Sequence, residues 1–133
     1  MTASPVDLVT AFADRIWNEG DFAAGQTLFA PHFRHHDLVT HRDTDLTGYF
    51  ESIGYQRRVF PDVRFEIVDS VADGDRVATR WRITGVHGET GRRVTVDGMS
   101  IDLVAADRII ENWTVWDRHG LLEQLGSVAT QGE

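Results

Sequence analysis

Arg108-Ile109-Ile110-Glu111-Asn112-Trp113-Thr114-Val115-Trp116-Asp117 reads as a β-strand that leaves a turn at Ala105-Ala106-Asp107-Arg108 and ends on a carboxylate. Isoleucine, valine, threonine and tryptophan fill it, the residues that fit a pleated, half-buried surface. Taken at period two, Trp113, Val115 and Asp117 share one face. A carboxylate on a face carrying tryptophan is costly to bury without a partner. Asp117 is therefore expected to be a general base at the floor of an apolar pocket, rather than an exposed strand-end acid capping the turn Arg118-His119-Gly120.

Further strands precede this one. Arg93 to Val104 alternates, with Met99, Ile101 and Leu103 expected to face inward beside Asp97, and Ser100 and Asp102 outward. Before it, Gly85 to Gly91 is a glycine-rich connection. Val77, Thr79, Trp81, Ile83 and His87 share the inner face of the next strand back, while Arg80, Arg82 and Thr84 look outward. Asp73-Gly74-Asp75 is a turn, and Val63, Phe65 and Ile67 mark the inner face of one more strand.

Upstream the period lengthens. Ser4-Pro5 is an N-cap with proline at the first helical position. Leu8, Val9, Phe12, Ile16 and Trp17 follow at helical spacing until Gly20 stops the run. Asp21 caps a second helix from Phe22 to about Ala30, ended by Pro31. Phe33 to Leu38 is a short connecting or extended segment with His35, His36 and Asp37. A third helix carries Leu46, Tyr49, Phe50, Ile53 and Arg57 and stops before Phe60-Pro61. Leu121, Leu122 and Leu125 suggest a last helical turn. Helices first and hairpin-spaced strands afterwards indicate an α+β fold. About three N-terminal helices would pack on a curved, cone-shaped antiparallel sheet around an apolar pocket. The 133 residues make one domain, 1–133, with 1–4 and 127–133 expected to be flexible.

Composition narrows the function. A net charge of −8 disfavours nucleic acid and anionic membrane as partners. Without cysteine there is no disulfide framework and no thiolate nucleophile. No leader pattern or membrane-length apolar run occurs, so a cytoplasmic protein is expected. Six histidines fall in no familiar ligand motif, and no metal is expected. Nucleophilic-serine, phosphate-loop and dinucleotide patterns are also missing.

Several motifs in order resemble the SnoaL-like polyketide cyclases of the nuclear transport factor 2-like superfamily. They are Pro31-His32-Phe33-Arg34-His35-His36-Asp37, Phe60-Pro61-Asp62-Val63 and Gly74-Asp75-Arg76-Val77-Ala78-Thr79-Arg80-Trp81. Gly85-Val86-His87, Gly91-Arg92-Arg93-Val94, Ile110-Glu111-Asn112-Trp113, and Asp117 followed by Leu121-Leu122-Glu123-Gln124-Leu125-Gly126 complete the set. The resemblance spans the first helix to Gly126. It implies a cofactor-free cyclase closing a ring by intramolecular aldol condensation, with an acid/base aspartate at Asp117 and a pocket histidine at His36. His35 and His36 alternate, so one of them faces inward. Trp17, His35, Phe50, Trp81, His87, Met99, Ile101, Leu103 and Trp113 are the expected substrate-binding residues, and the partner is a hydrophobic, polyketide-like small molecule. Arg80, Arg82, Thr84 and Val86 on the outer face are compatible with a homodimer. The same scaffold also serves isomerases, epoxide hydrolases and non-catalytic binding dimers, which remain alternatives.

Overall fold

A computed structural model describes residues 4–126; the expected flexible ends lie outside the described residues except for Ser4. Ser4 is the N-cap of α1 (Pro5–Ala11): its hydroxyl accepts from the Asp7 amide, and the Asp7 carboxylate accepts from the Ser4 amide. The chain then widens into a π-helical stretch, Phe12–Asn18. That stretch buries Phe12, Ala13, Ile16 and Trp17. At its end the Asn18 side-chain amide both donates to the Phe65 carbonyl (3.0 Å) and accepts from the Phe65 amide (2.7 Å).

The second helical segment is shorter than expected. A 3-10 turn, Phe22–Ala24, leads into α2 (Gly25–Leu28), and Phe29 already begins β1 (Phe29–Asp37). Pro31 therefore sits inside a strand instead of ending a helix. Having no amide hydrogen it cannot extend the ladder, and β1 loses register with its neighbour between Phe29 and Arg34. After β2 (Arg42–Asp45) comes α3 (Leu46–Val59), capped by the Asp45 carboxylate on the Gly48 amide at 2.9 Å. The remaining elements are β3 (Arg64–Asp73), β4 (Arg76–Val86), β5 (Arg93–Ala105), β6 (Arg108–Trp116) and α4 (Arg118–Gln124).

The fold is α+β, with a curved, unclosed six-stranded sheet in the order β2-β1-β6-β5-β4-β3. Every pairing is antiparallel except β1 with β6, which run parallel. The helices fill the concave side, where Phe12, Ile16, Phe29, Phe33, Ile53 and Phe65 form the core. No helix among the described residues is long and apolar enough to cross a membrane.

Pairing fixes which residues face that core, because residues directly opposite across a ladder point the same way. The expected inner face of β4 holds: Val77, Thr79 and Trp81 are buried. They oppose Asp102, Ser100 and Gly98 of β5, which makes the even-numbered residues of β5 the inner set. The expectation that Met99, Ile101 and Leu103 face inward is corrected. Met99 and Ile101 are 53% and 45% exposed, whereas Val94, Val96, Asp102 and Val104 are buried. The same correction applies to β6, for a different reason. Ile109 is fully buried, but the ladder slips between Leu103 and Val104, where Leu103 opposes Glu111 and Val104 opposes Ile109. The extra residue is a β-bulge that shifts parity. Beyond it Asn112, Thr114 and Trp116 point inward, while Trp113, Val115 and Asp117 do not.

Candidate active site

Between the helices and the concave face lies a cavity of about 340 Å³. Its walls are largely apolar, with Phe12, Trp17, Ile53, Phe65, Trp81 and Val96 among them. Polar groups enter in two rows that run straight across the strands. The first is Asp102, Asn112 and His35, successive partners across β5, β6 and β1. The second is Thr79, Ser100 and Thr114, successive partners across β4, β5 and β6.

The first row is a hydrogen-bonded relay. Asn112 donates through Nδ2 to Asp102 Oδ1 at 3.1 Å, and its Oδ1 meets His35 Nδ1 at 2.7 Å. An amide oxygen only accepts, so His35 carries its proton on Nδ1 and leaves Nε2 as an acceptor. The imidazole stacks on Tyr49, with ring centroids 4.1 Å apart. Burial is the largest influence on all three titrating groups. It pushes the Asp102 carboxyl up to about 7 against the opposing Asn112 hydrogen bond. It pulls His35 down, again against Asn112, so the ring is neutral. It also raises the Tyr49 phenol, helped by the nearby Asp102 charge. Asp102 is thus a carboxyl group poised between its two protonation states near neutral pH.

The second row is made of hydroxyls. The Trp81 indole donates to Ser100 Oγ at 2.9 Å, and Ser100 Oγ lies 3.0 Å from Thr114 Oγ1. Trp81 reaches Ser100 because its ring lies over Gly98, where a β-carbon would come within 2.2 Å of the indole. Elsewhere on the lining, Trp116 Nε1 donates to Asp37 Oδ2 at 3.0 Å, and Arg42 and Gln56 add further polar groups.

Of the residues expected at the pocket, Trp17, His35 and Trp81 line it. The others are elsewhere. Asp117 is exposed and caps α4, its Oδ1 accepting from the Gly120 amide at 2.9 Å; the exposed-cap reading describes it, not the pocket-floor one. His36 points to the outer face, where Nδ1 meets Asp43 at 2.7 Å and Nε2 meets Glu111 at 2.6 Å. Those two acids raise its pKa, and its ring stacks on Trp113. Thus Trp113 joins Met99, Ile101 and Leu103 outside the cavity lining. Phe50 packs against Phe22 and Phe29. His87 holds the turn after β4 through Thr90 Oγ1 at 2.8 Å. Arg80 is exposed, and Arg82 pairs with Asp97 at 2.8 Å, as expected of outer-face residues. Among the described residues no three histidine, aspartate or glutamate side chains converge as a metal site.

Asp102, Asn112, Ser100 and Thr114 are the residues the sequence reading missed. The available signal was at the ends of β5, where Val94, Val96 and Val104 fix the even positions as the buried ones.

The profile of the family described as SnoaL-like polyketide cyclase matches residues 7–125. Among solved structures, wild-type IdmH of Streptomyces antibioticus, a candidate polyketide cyclase, is 28% identical with a TM-score of 0.86, the alignment covering 93% of this chain and 99% of that one. A candidate polyketide cyclase of Acidithiobacillus ferrooxidans is 30% identical with a TM-score of 0.79, covering 96% and 98% of the two chains. AclR of Streptomyces galilaeus, a candidate hydroxylase, shares the fold at 24% identity and a TM-score of 0.83, covering 97% of this chain and 89% of its own. Among curated proteins none matches.

Proposed function

The chain belongs to the SnoaL-like polyketide cyclase family, and on that premise we propose that it closes a ring in a polyketide-like substrate by a cofactor-independent intramolecular aldol step with Asp102 as the general acid/base. The observation that carries this reading is a buried carboxyl group, held at about 7, on the wall of an apolar cavity.

A carboxylate base supplies roughly 10²–10⁴-fold of rate. The substrate must therefore bring its own acidity, as a methylene between two carbonyls does. Asp102 in its ionised form takes a proton from that carbon, and the C–H electron pair becomes the carbon–carbon double bond of an enolate. The enolate carbon attacks a second carbonyl of the same molecule, forming the ring C–C bond. Protonated Asp102 returns its proton to the new alkoxide, so the product is an isomer of the substrate. Asn112 orients the carboxyl through Oδ1, and neutral His35 orients Asn112. The apolar wall folds the chain into a reactive shape, and that contribution can match the proton transfer.

Asp102→Asn tests the assignment. A folded variant that binds a linear aromatic polyketide but cyclises it at least 10²-fold more slowly supports it. Wild-type turnover in that variant would remove Asp102 from the mechanism.

We also propose a homodimer through the outer sheet face. Met99, Ile101 and Val115 form an exposed apolar strip there, Met99 lying directly across from Val115. Sedimentation should give twice the chain mass for the wild type and the chain mass for Ile101→Asp. A monomeric wild type would refute the assembly.

A further inference from the structure

The hydroxyl row holds more protons than the protein accepts. Trp81 Nε1–H, Ser100 O–H and Thr114 O–H are three donors, yet they share two hydrogen bonds. The indole can only donate. Whichever way the Ser100–Thr114 bond is oriented, one hydroxyl proton of that pair has no protein acceptor among the described residues. Directly across the ladder from Ser100 stands Thr79. It is 2% exposed, and its Oγ1 has no hydrogen-bond partner. Thr44 Oγ1 is likewise unpartnered but lies outside the cavity lining, whereas Thr79, Ser100 and Thr114 all belong to it.

An unpartnered buried hydroxyl destabilises a fold unless something else uses it. We propose that the Thr79–Ser100–Thr114 row is an oxygen-binding site that donates two hydrogen bonds to a ketone oxygen of the ligand, and to the enolate oxygen that replaces it during reaction. The spacing suits this role. Ser100 and Asp102 are two residues apart on one strand face, roughly 7 Å. A base reaching a hydrogen on one carbon and a donor reaching the oxygen on the next carbon span about that distance. The row thereby selects ligands with a carbonyl oxygen, and it stabilises charge where the proposed reaction creates it. The part concerning the enolate rests on the cyclase reading; ketone binding does not.

The probes are 2-acetylnaphthalene, whose ketone accepts hydrogen bonds but cannot donate them, and 2-isopropenylnaphthalene, its hydrocarbon counterpart of similar shape. Binding of each is measured by calorimetry to wild type, Thr79→Val, Thr79→Ser and Ser100→Ala/Thr114→Val. The expected result is a five- to tenfold loss of ketone affinity, about one hydrogen bond, in Thr79→Val and in the double variant. Hydrocarbon affinity stays unchanged, and Thr79→Ser keeps ketone affinity. Thr79→Val should also melt at a higher temperature than wild type, because the unpartnered hydroxyl is gone; a structural role for Thr79 gives the opposite sign. Ketone affinity at wild-type level in both variants, or equal losses for both probes, overturns the proposal. Because no turnover is measured, that failure is separate from any failure of Asp102→Asn.

Discussion

Asp102 is asked to be buried and to ionise, and its neighbours set the compromise. Burial raises it to about 7, and Asn112 keeps the carboxylate accessible by donating to one oxygen. With ionised Asp102 as the base, kcat/KM for cyclisation should rise with pH through a single ionisation near 7 and level off above it. Asn112→Leu keeps the side-chain bulk while removing the donor. It should move that midpoint upward and release His35, seen as a shifted imidazole resonance. A midpoint that stays put would show that Asn112 does not govern the carboxyl. At this scale the sequence misleads for a physical reason. Ser100 and Asp102, alternating with Met99, Ile101 and Leu103, look like solvent-facing residues because hydrophobicity is the usual guide to facing. The cavity reverses that guide on this stretch of β5, with Ser100 and Asp102 on its lining and Met99 and Ile101 on the outer face.

The elements explain how this reversal is built. The strand β6 was legible as a strand from its composition, but its parity was not, since a bulge depends on the partner strand and leaves little trace in the local pattern. Once the bulge is present, Asp117 falls at the start of α4, and its chemistry becomes that of an N-cap. Asp117→Ala should cost about 1 kcal/mol of stability while Asp117→Asn costs little, both with cyclisation intact. A rate collapse in either would contradict the cap assignment. Gly98 is the other element-level device. Gly98→Ala places a methyl group against the Trp81 indole. It should destabilise by about 1–3 kcal/mol, as overpacking does, and detach the indole from Ser100, visible as a shift in tryptophan emission. Wild-type stability and emission would mean the indole has room to move aside.

For the molecule as a whole, the α+β layering was readable because the main helical periods fall before Phe60 and the four long period-two strands follow without interruption from Arg64 to Trp116. The parallel β1–β6 pairing was not, since it joins distant segments and Pro31 disguises the start of β1. Global stability should carry the mark of the buried carboxyl. A folded-state pKa above the unfolded one favours the protonated native state. That contribution is complete below about pH 4 and is lost as pH rises through 7, about 4 kcal/mol in all. His35 acts in the reverse sense: its lowered pKa gives stability that is full above about pH 6.5 and lost as pH falls. Chemical denaturation across pH 4–8 should therefore show the wild type losing stability toward pH 8 relative to Asp102→Asn. Parallel profiles would place the carboxyl in water.

The His35–Asn112 hydrogen bond joins residues 77 positions apart. The first contributes to a strand made early in translation, and the second to the last strand of all. A nascent chain therefore carries helices and the β3–β4 hairpin before it has any relay, and β6 must leave the ribosome before β1 can find it. Closing so long a loop is an entropically demanding and slow pairing. The hydrogen bonds that hold Asp102, and with them the chemistry proposed for it, are thus assembled only once β6 has joined the sheet.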